Sequence, residues 1–214
     1  MTIIATRYLG VVGALVAGVL LFIPCAGSGD RPPWPISFDS EIVRIFVEED
    51  SLRIEGIYTL LCRPRAKMSE IRLFYPYPKD SLLGGARTLS LDCRGRDTTW
   101  TALRFAESAR PEGARWWVPL DRGDTLAVRT VYRQARLGSY ARYIVTTTSA
   151  WGQPLSRARF EIYLPGSARD PVFSFPFEPG FCDGTPCHIY IKEQFLPDHD
   201  ITVTWQPGRS DGEQ

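Results

Sequence analysis

Asp198, His199 and Asp200 stand together in LPDHD. A histidine between two carboxylates is a pattern that orients a base or holds a metal ion. Only His188 and His199 supply imidazoles in the whole chain. A polar loop ahead of the alternating run ITVTW accounts for the same cluster without chemistry. Thr146, Thr147 and Thr148, in YIVTTTSAWGQPL, offer hydroxyls. A threonine nucleophile needs a neighbouring base or its own terminal amine, and no histidine lies within thirty residues. No GxSxG, HExxH, P-loop or dinucleotide glycine pattern occurs. Arg122-Gly123-Asp124 matches an adhesion tripeptide, but Asp-x-Gly-Asp between two strands is ordinary hairpin composition. The sequence assigns no catalytic residue and no metal or other cofactor.

Cysteines carry a different message. Beyond Cys25 there are four, Cys62, Cys93, Cys182 and Cys187, and four allow three disulfide connectivities. CDGTPC closes a short loop around an Asp-Gly turn, so Cys182–Cys187 is the local choice. Cys62–Cys93 would then tie two strands. A zinc site from Cys182, Cys187 and His188 lacks CxxC spacing, and buried reduced thiols are the other reading.

The segments that must position these residues follow a leader. Arg7 precedes an uncharged run from Tyr8 to Pro24, with small residues after it, which is the order of an export signal. Residues 1–27 are expected to be a signal peptide or an N-terminal membrane anchor, with cleavage after Ala26 or Gly27, lipidation at Cys25, or retention. Residues 28–33 read as a linker, 34–206 as the folded domain and 207–214 as a polar tail. Formal charge is +1, and loss of Arg7 with the leader leaves zero, which argues against a nucleic-acid partner. Membrane contact is expected only through the N-terminal segment.

From Trp34 onward apolar residues recur every second position, with Pro, Gly or Asp clusters about every ten residues. EIVRIFVEED puts Val43, Ile45 and Val47 on one face, and SLRIEGIYTLLC does so with Leu52, Ile54, Tyr58 and Leu60. SEIRLFYPYP adds Ile71, Leu73 and Tyr75, while SRARFEIYLP adds Ala158, Phe160, Ile162 and Leu164. The expected fold is all-β, an antiparallel β-sandwich of Greek-key-like connection. In RWWVPL, Trp116 shares a face with Val118 and belongs in the core, while Trp117 faces outward. In ARYIVTTT, Tyr143, Val145 and Thr147 are expected on one strand face, with a turn at Gly152 and Pro154. The threonines then read as strand and turn.

YIVTTTSAWGQPL followed by ARFEIYLP, with LFYPYP and GDTLAVRTVYRQ upstream, resembles a pattern of uncharacterised exported bacterial proteins. Their signature runs Tyr-x-x-Thr-Thr, then Trp-Gly-x-Pro-Leu, then an amphipathic strand. The likeness spans about residues 70–165, with Val145 where leucine is expected. It implies a secreted β-sandwich of unknown role and transfers no site residue. The functional expectation is a non-catalytic cell-envelope binding or assembly module, periplasmic or extracellular, with Trp34, Trp117 or an edge strand meeting an envelope protein or glycan. The alternative is an envelope hydrolase or metal-dependent enzyme centred on Asp198, His199 and Asp200.

Overall fold

A computed structural model describes residues 35–62, 69–120 and 124–208. The leader, the linker, Cys25, Trp34 and residues 209–214 of the tail lie outside the described residues, as do Arg122 and Gly123.

The chain is all-β. A large sheet holds β1 (Ile36–Val47), β2 (Ser51–Cys62), β4 (Leu83–Arg94), β5 (Thr101–Ala102), β8 (Thr125–Arg136), β10 (Leu155–Tyr163), β12 (Glu178–Cys182) and β13 (Thr185–Phe195). Its order is β12-β13-β10-β1-β2-β8-β4-β5. Two three-stranded sheets form the second layer. One is β3 (Glu70–Pro76), β7 (Glu112–Pro119) and β6 (Phe105–Ala109); the other is β11 (Ala168–Phe173), β14 (Ile201–Pro207) and β9 (Tyr140–Tyr143). Tyr75 on β3 and Tyr143 on β9 both reach Tyr58 on β2, so both small sheets pack on the same face of the large one.

Alternation explains the core. Val43, Ile45, Leu52, Ile54, Leu60, Ile71, Leu73, Val118, Phe160 and Ile162 are all buried, each on the expected face of its strand. Trp116 is buried with them. The Glu48–Asp50 stretch forms the β1–β2 hairpin turn, where the Glu48 N–H donates to the Ser51 carbonyl at 2.9 Å. Asp183 and Gly184 close the β12–β13 hairpin with φ of 51° and 77°, which is why an Asp-Gly pair stands there.

The structure departs from a wholly antiparallel sandwich in one respect: β1 and β10 pair in parallel, Glu41 beside Ala158 and Arg44 beside Glu161. Such a pair is joined through most of the domain, so no local turn announces it. Two strands also went unanticipated. β11 carries Pro171 and β12 carries Pro179 and Gly180, and both lie at sheet edges, where a missing ladder donor is tolerated.

The strand expected through Thr146–Thr148 is corrected. β9 ends at Tyr143, and Thr146–Trp151 form a 3-10 helix that stops at Gly152, whose φ is 72°. Threonine favours strands only where a pleated surface accepts it. Here Asp200, at the start of β14, draws the chain into a helical turn instead. Its Oδ1 accepts the Val145 and Thr146 N–H groups, each at 3.2 Å, and the Thr146 hydroxyl at 2.8 Å.

Candidate functional site

The feature that needs explaining is a carboxyl inside the core. Glu41 lies two residues before Val43, so strand parity points it at the apolar layer. It is 4% exposed, and its Oε1 has no hydrogen-bond partner among the described residues. Burial alone raises its pKa from the usual 4.5 to about 8, because the charged form loses its hydration and gains no cation. Glu41 is therefore mostly protonated at neutral pH.

Around it stand three tyrosines from three strands. The Tyr58 hydroxyl lies 2.8 Å from that of Tyr75 and 2.9 Å from that of Tyr143, and Tyr75 donates to Tyr143 at 3.2 Å. The three hydroxyls spend their hydrogen bonds on one another. Burial first, and then their mutual proximity and that of Glu41, drives Tyr75 and Tyr143 well above the usual phenol value. Burial, followed by Glu41, raises Tyr58 likewise. All three stay neutral, unreactive phenols across the physiological range.

Glycine makes room for this arrangement. Tyr58 lies back across Gly56, where an added Cβ would fall 2.4 Å from the ring carbon that carries its hydroxyl. Trp116 stacks on Tyr75 with centroids 4.7 Å apart and planes 15° from parallel. Its Nε1 is also buried without a partner.

Glu41, Tyr58, Tyr75, Tyr143 and Trp116 line a cavity of about 70 Å³, completed by Phe38, Thr147, Thr148 and Trp151 among others. That is room for several waters or one compact chemical group. Phe38, Phe74, Thr147 and Trp151 are half-buried, and Glu41 is sealed at the depth of the site. Trp151 packs on Phe38 with centroids 5.9 Å apart. The helical turn expected to be only a chain reversal is thus one wall of the cavity. No expectation from sequence named Glu41, although the signal was present: a carboxylate in phase with Val43, Ile45 and Val47.

The other residues singled out from sequence lie elsewhere. His199 is half-exposed, with Nδ1 2.5 Å from Asp198 Oδ1 and Nε2 3.0 Å from the Ser174 carbonyl. The Ser174 carbonyl first, then Asp198, raises its pKa. Its ring stacks on Phe175. Asp200 makes no hydrogen bond to it; its Oδ2 accepts Arg142 Nε at 3.0 Å and Nη2 at 2.7 Å. The proposed Asp198/His199/Asp200 centre is therefore not assembled, because Asp200 is fully used in holding the cavity wall. Among the described residues no three His, Cys, Asp or Glu side chains converge as metal ligands. Trp117 is half-buried on the outer side of its small sheet, under the Arg104 guanidinium at 4.5 Å. It offers no bare platform.

The Cys182 and Cys187 sulfurs lie 2.9 Å apart as thiols within the β12–β13 hairpin, where local pairing puts them. Burial, then Cys182, pushes the Cys187 thiol up to about 12. Cys62 and Cys93 are a correction. Cys62 is on β2 and Cys93 on β4, with β8 between them. Two strand spacings, roughly 10 Å, exceed the reach of a disulfide.

No protein-family model matches this chain, and no curated protein matches it in sequence. Its fold is similar to that of a Legionella pneumophila protein proposed to bind nutrients, at 14% identity and a TM-score of 0.53, over 81% of this chain and 67% of that one. An M1 zinc metallopeptidase from Deinococcus radiodurans aligns at 15% identity and a TM-score of 0.46, over 79% of this chain and 42% of the peptidase. This chain thus spans under half of the peptidase. At such identities the first likeness shows the fold alone.

Proposed function

We propose that this chain is an exported cell-envelope binding module whose ligand seats in the Glu41 cavity. One observation carries the reading: Glu41 Oε1 and Trp116 Nε1 are both buried without partners, on residues that line the same cavity. An unmet buried polar atom costs about 1–3 kcal/mol, and a ligand that meets it recovers that cost. Two such atoms at one cavity are what a binding site looks like before its ligand arrives. The leader pattern at Arg7–Pro24 supports export.

Binding is favoured over catalysis because the hydroxyls nearest Glu41 are phenols with raised pKa values, poor as nucleophiles or bases. The test is tryptophan fluorescence, with Trp116 and Trp151 as reporters, against a library of small polar metabolites. Binding seen in the native protein and lost in a folded Thr147→Trp variant, which fills the cavity, supports the proposal. Equal binding by both proteins, or binding by neither, contradicts it.

A further inference from the structure

Building on that binding reading, we infer that the cavity takes an alkylated ammonium head, whose positive charge sits against the Glu41 carboxylate and among the aromatic side chains around it. A buried carboxylate is normally matched by an arginine or lysine of its own chain. Glu161, one strand away, has two such partners, Arg44 and Arg159. Among the described residues Glu41 has none: β2 contributes Tyr58, β3 Tyr75, β9 Tyr143 and β7 Trp116, all neutral. Only burial acts on Glu41. No cation of the described residues completes this site, and a cationic ligand would.

The walls narrow its chemistry. Aromatic faces attract a poorly hydrated cation electrostatically, and a quaternary ammonium is the group that aromatic enclosures suit. A primary ammonium would bring three N–H donors. The tyrosine hydroxyls bond to one another, so each keeps at most one lone pair for those donors. A tertiary or quaternary ammonium brings one N–H or none, and its methyl groups bury favourably against Phe38, Tyr58 and Trp116. The open Trp116 Nε1 would then donate to an oxygen of the same ligand or to a water.

Charge must balance. Below about pH 8 Glu41 holds a proton. Seating the cation turns the carboxylic acid into a carboxylate and releases that proton to solvent, one per ligand bound. Tyr58, Tyr75 and Tyr143 have raised pKa values and do not titrate in this range. Affinity should therefore rise about tenfold per pH unit from pH 6 to pH 7 and level off above pH 9.

The experiment is calorimetric titration of the full chain with choline and with its neutral isostere 3,3-dimethylbutan-1-ol, at pH 6, 7 and 9. The expected result is that choline binds at least tenfold more tightly than the alcohol at pH 9, with proton release at pH 7 seen as a buffer-dependent heat. In Glu41→Gln, close in shape and checked by circular dichroism, the preference for choline should vanish. If the alcohol binds as tightly as choline at pH 9, or choline affinity is flat with pH, the ammonium inference is overturned while the binding reading stands. If neither probe binds, the inference is overturned, and the metabolite screen then decides the binding reading separately.

Discussion

β1 and β10 run side by side in the large sheet, and each buries one acid, but the two acids face opposite ways. Glu161 lies on the outer face at 1% exposure. Its carboxylate accepts Arg44 Nε at 3.0 Å, Arg159 Nε at 2.6 Å and the Tyr163 hydroxyl at 2.7 Å. Burial pushes Glu161 upward, yet Tyr163, Arg159 and Arg44 outweigh it and hold the carboxyl below its usual value. Glu41 lies on the inner face at 4% exposure with no such neighbours, and burial goes unopposed. Both acids are closed to solvent, yet the deeper, unpartnered Glu41 keeps its proton while the partnered Glu161 gives its proton up. Burial alone does not define a site; a buried acid with no partner among the described residues does.

The sharpest way to break this comparison is pH. The folded pKa of Glu41 is raised, so between 4.5 and about 8 the native state holds a proton that the unfolded chain loses. Its contribution to stability must fall as pH rises through that window, by on the order of 4 kcal/mol. Glu41→Gln should abolish this loss, and urea unfolding at pH 5 and pH 8.5 measures it. Glu161 has the opposite sign: its contribution is present above the usual carboxylate value and is lost as the solution is acidified below it.

Replacing the charge in Glu161→Gln should cost about 3 kcal/mol, since two arginines lose their counter-charge and one of the two acceptor oxygens becomes a donor NH2. Denaturant midpoints at pH 7 give the number, and an unchanged midpoint would show that the outer cluster is ornamental. Next in size is Gly56→Ala. Its methyl group collides with Tyr58, so a loss of about 2 kcal/mol and disturbed tyrosine near-ultraviolet dichroism are expected. The smallest effect belongs to the cluster that looked most chemical from sequence. His199→Ala should shift stability by at most about 0.5 kcal/mol and leave ligand binding unchanged, because the imidazole is half-exposed and does not line the cavity.

Strand periodicity made much of the frame legible. Val43, Leu52, Ile71 and Phe160 lie where two-residue alternation puts them, and Tyr58 and Tyr143 point inward as their strands require. What periodicity could not give is which inward residues meet. Tyr58, Tyr75 and Tyr143 come from three strands in three sheets, and nothing local in their spacing brings their hydroxyls together. Glu161 reads as a solvent-facing residue between Phe160 and Ile162, and Arg44, Arg159 and Tyr163 on that face cover it. The helical turn at Thr146 depends on Asp200, far along the chain, so local β-propensity misread it. The same aspartate looked catalytic because it adjoins a histidine, whereas its work is to hold the cavity wall.

The most direct test is the carboxyl titration of the two acids by NMR, with carbon-13 glutamate labels assigned through Glu41→Gln and Glu161→Gln. The account predicts that Glu41 titrates near pH 8 and Glu161 below the ordinary glutamate range. A Glu41 carboxyl that titrates between pH 4 and 5, like an exposed glutamate, would contradict it.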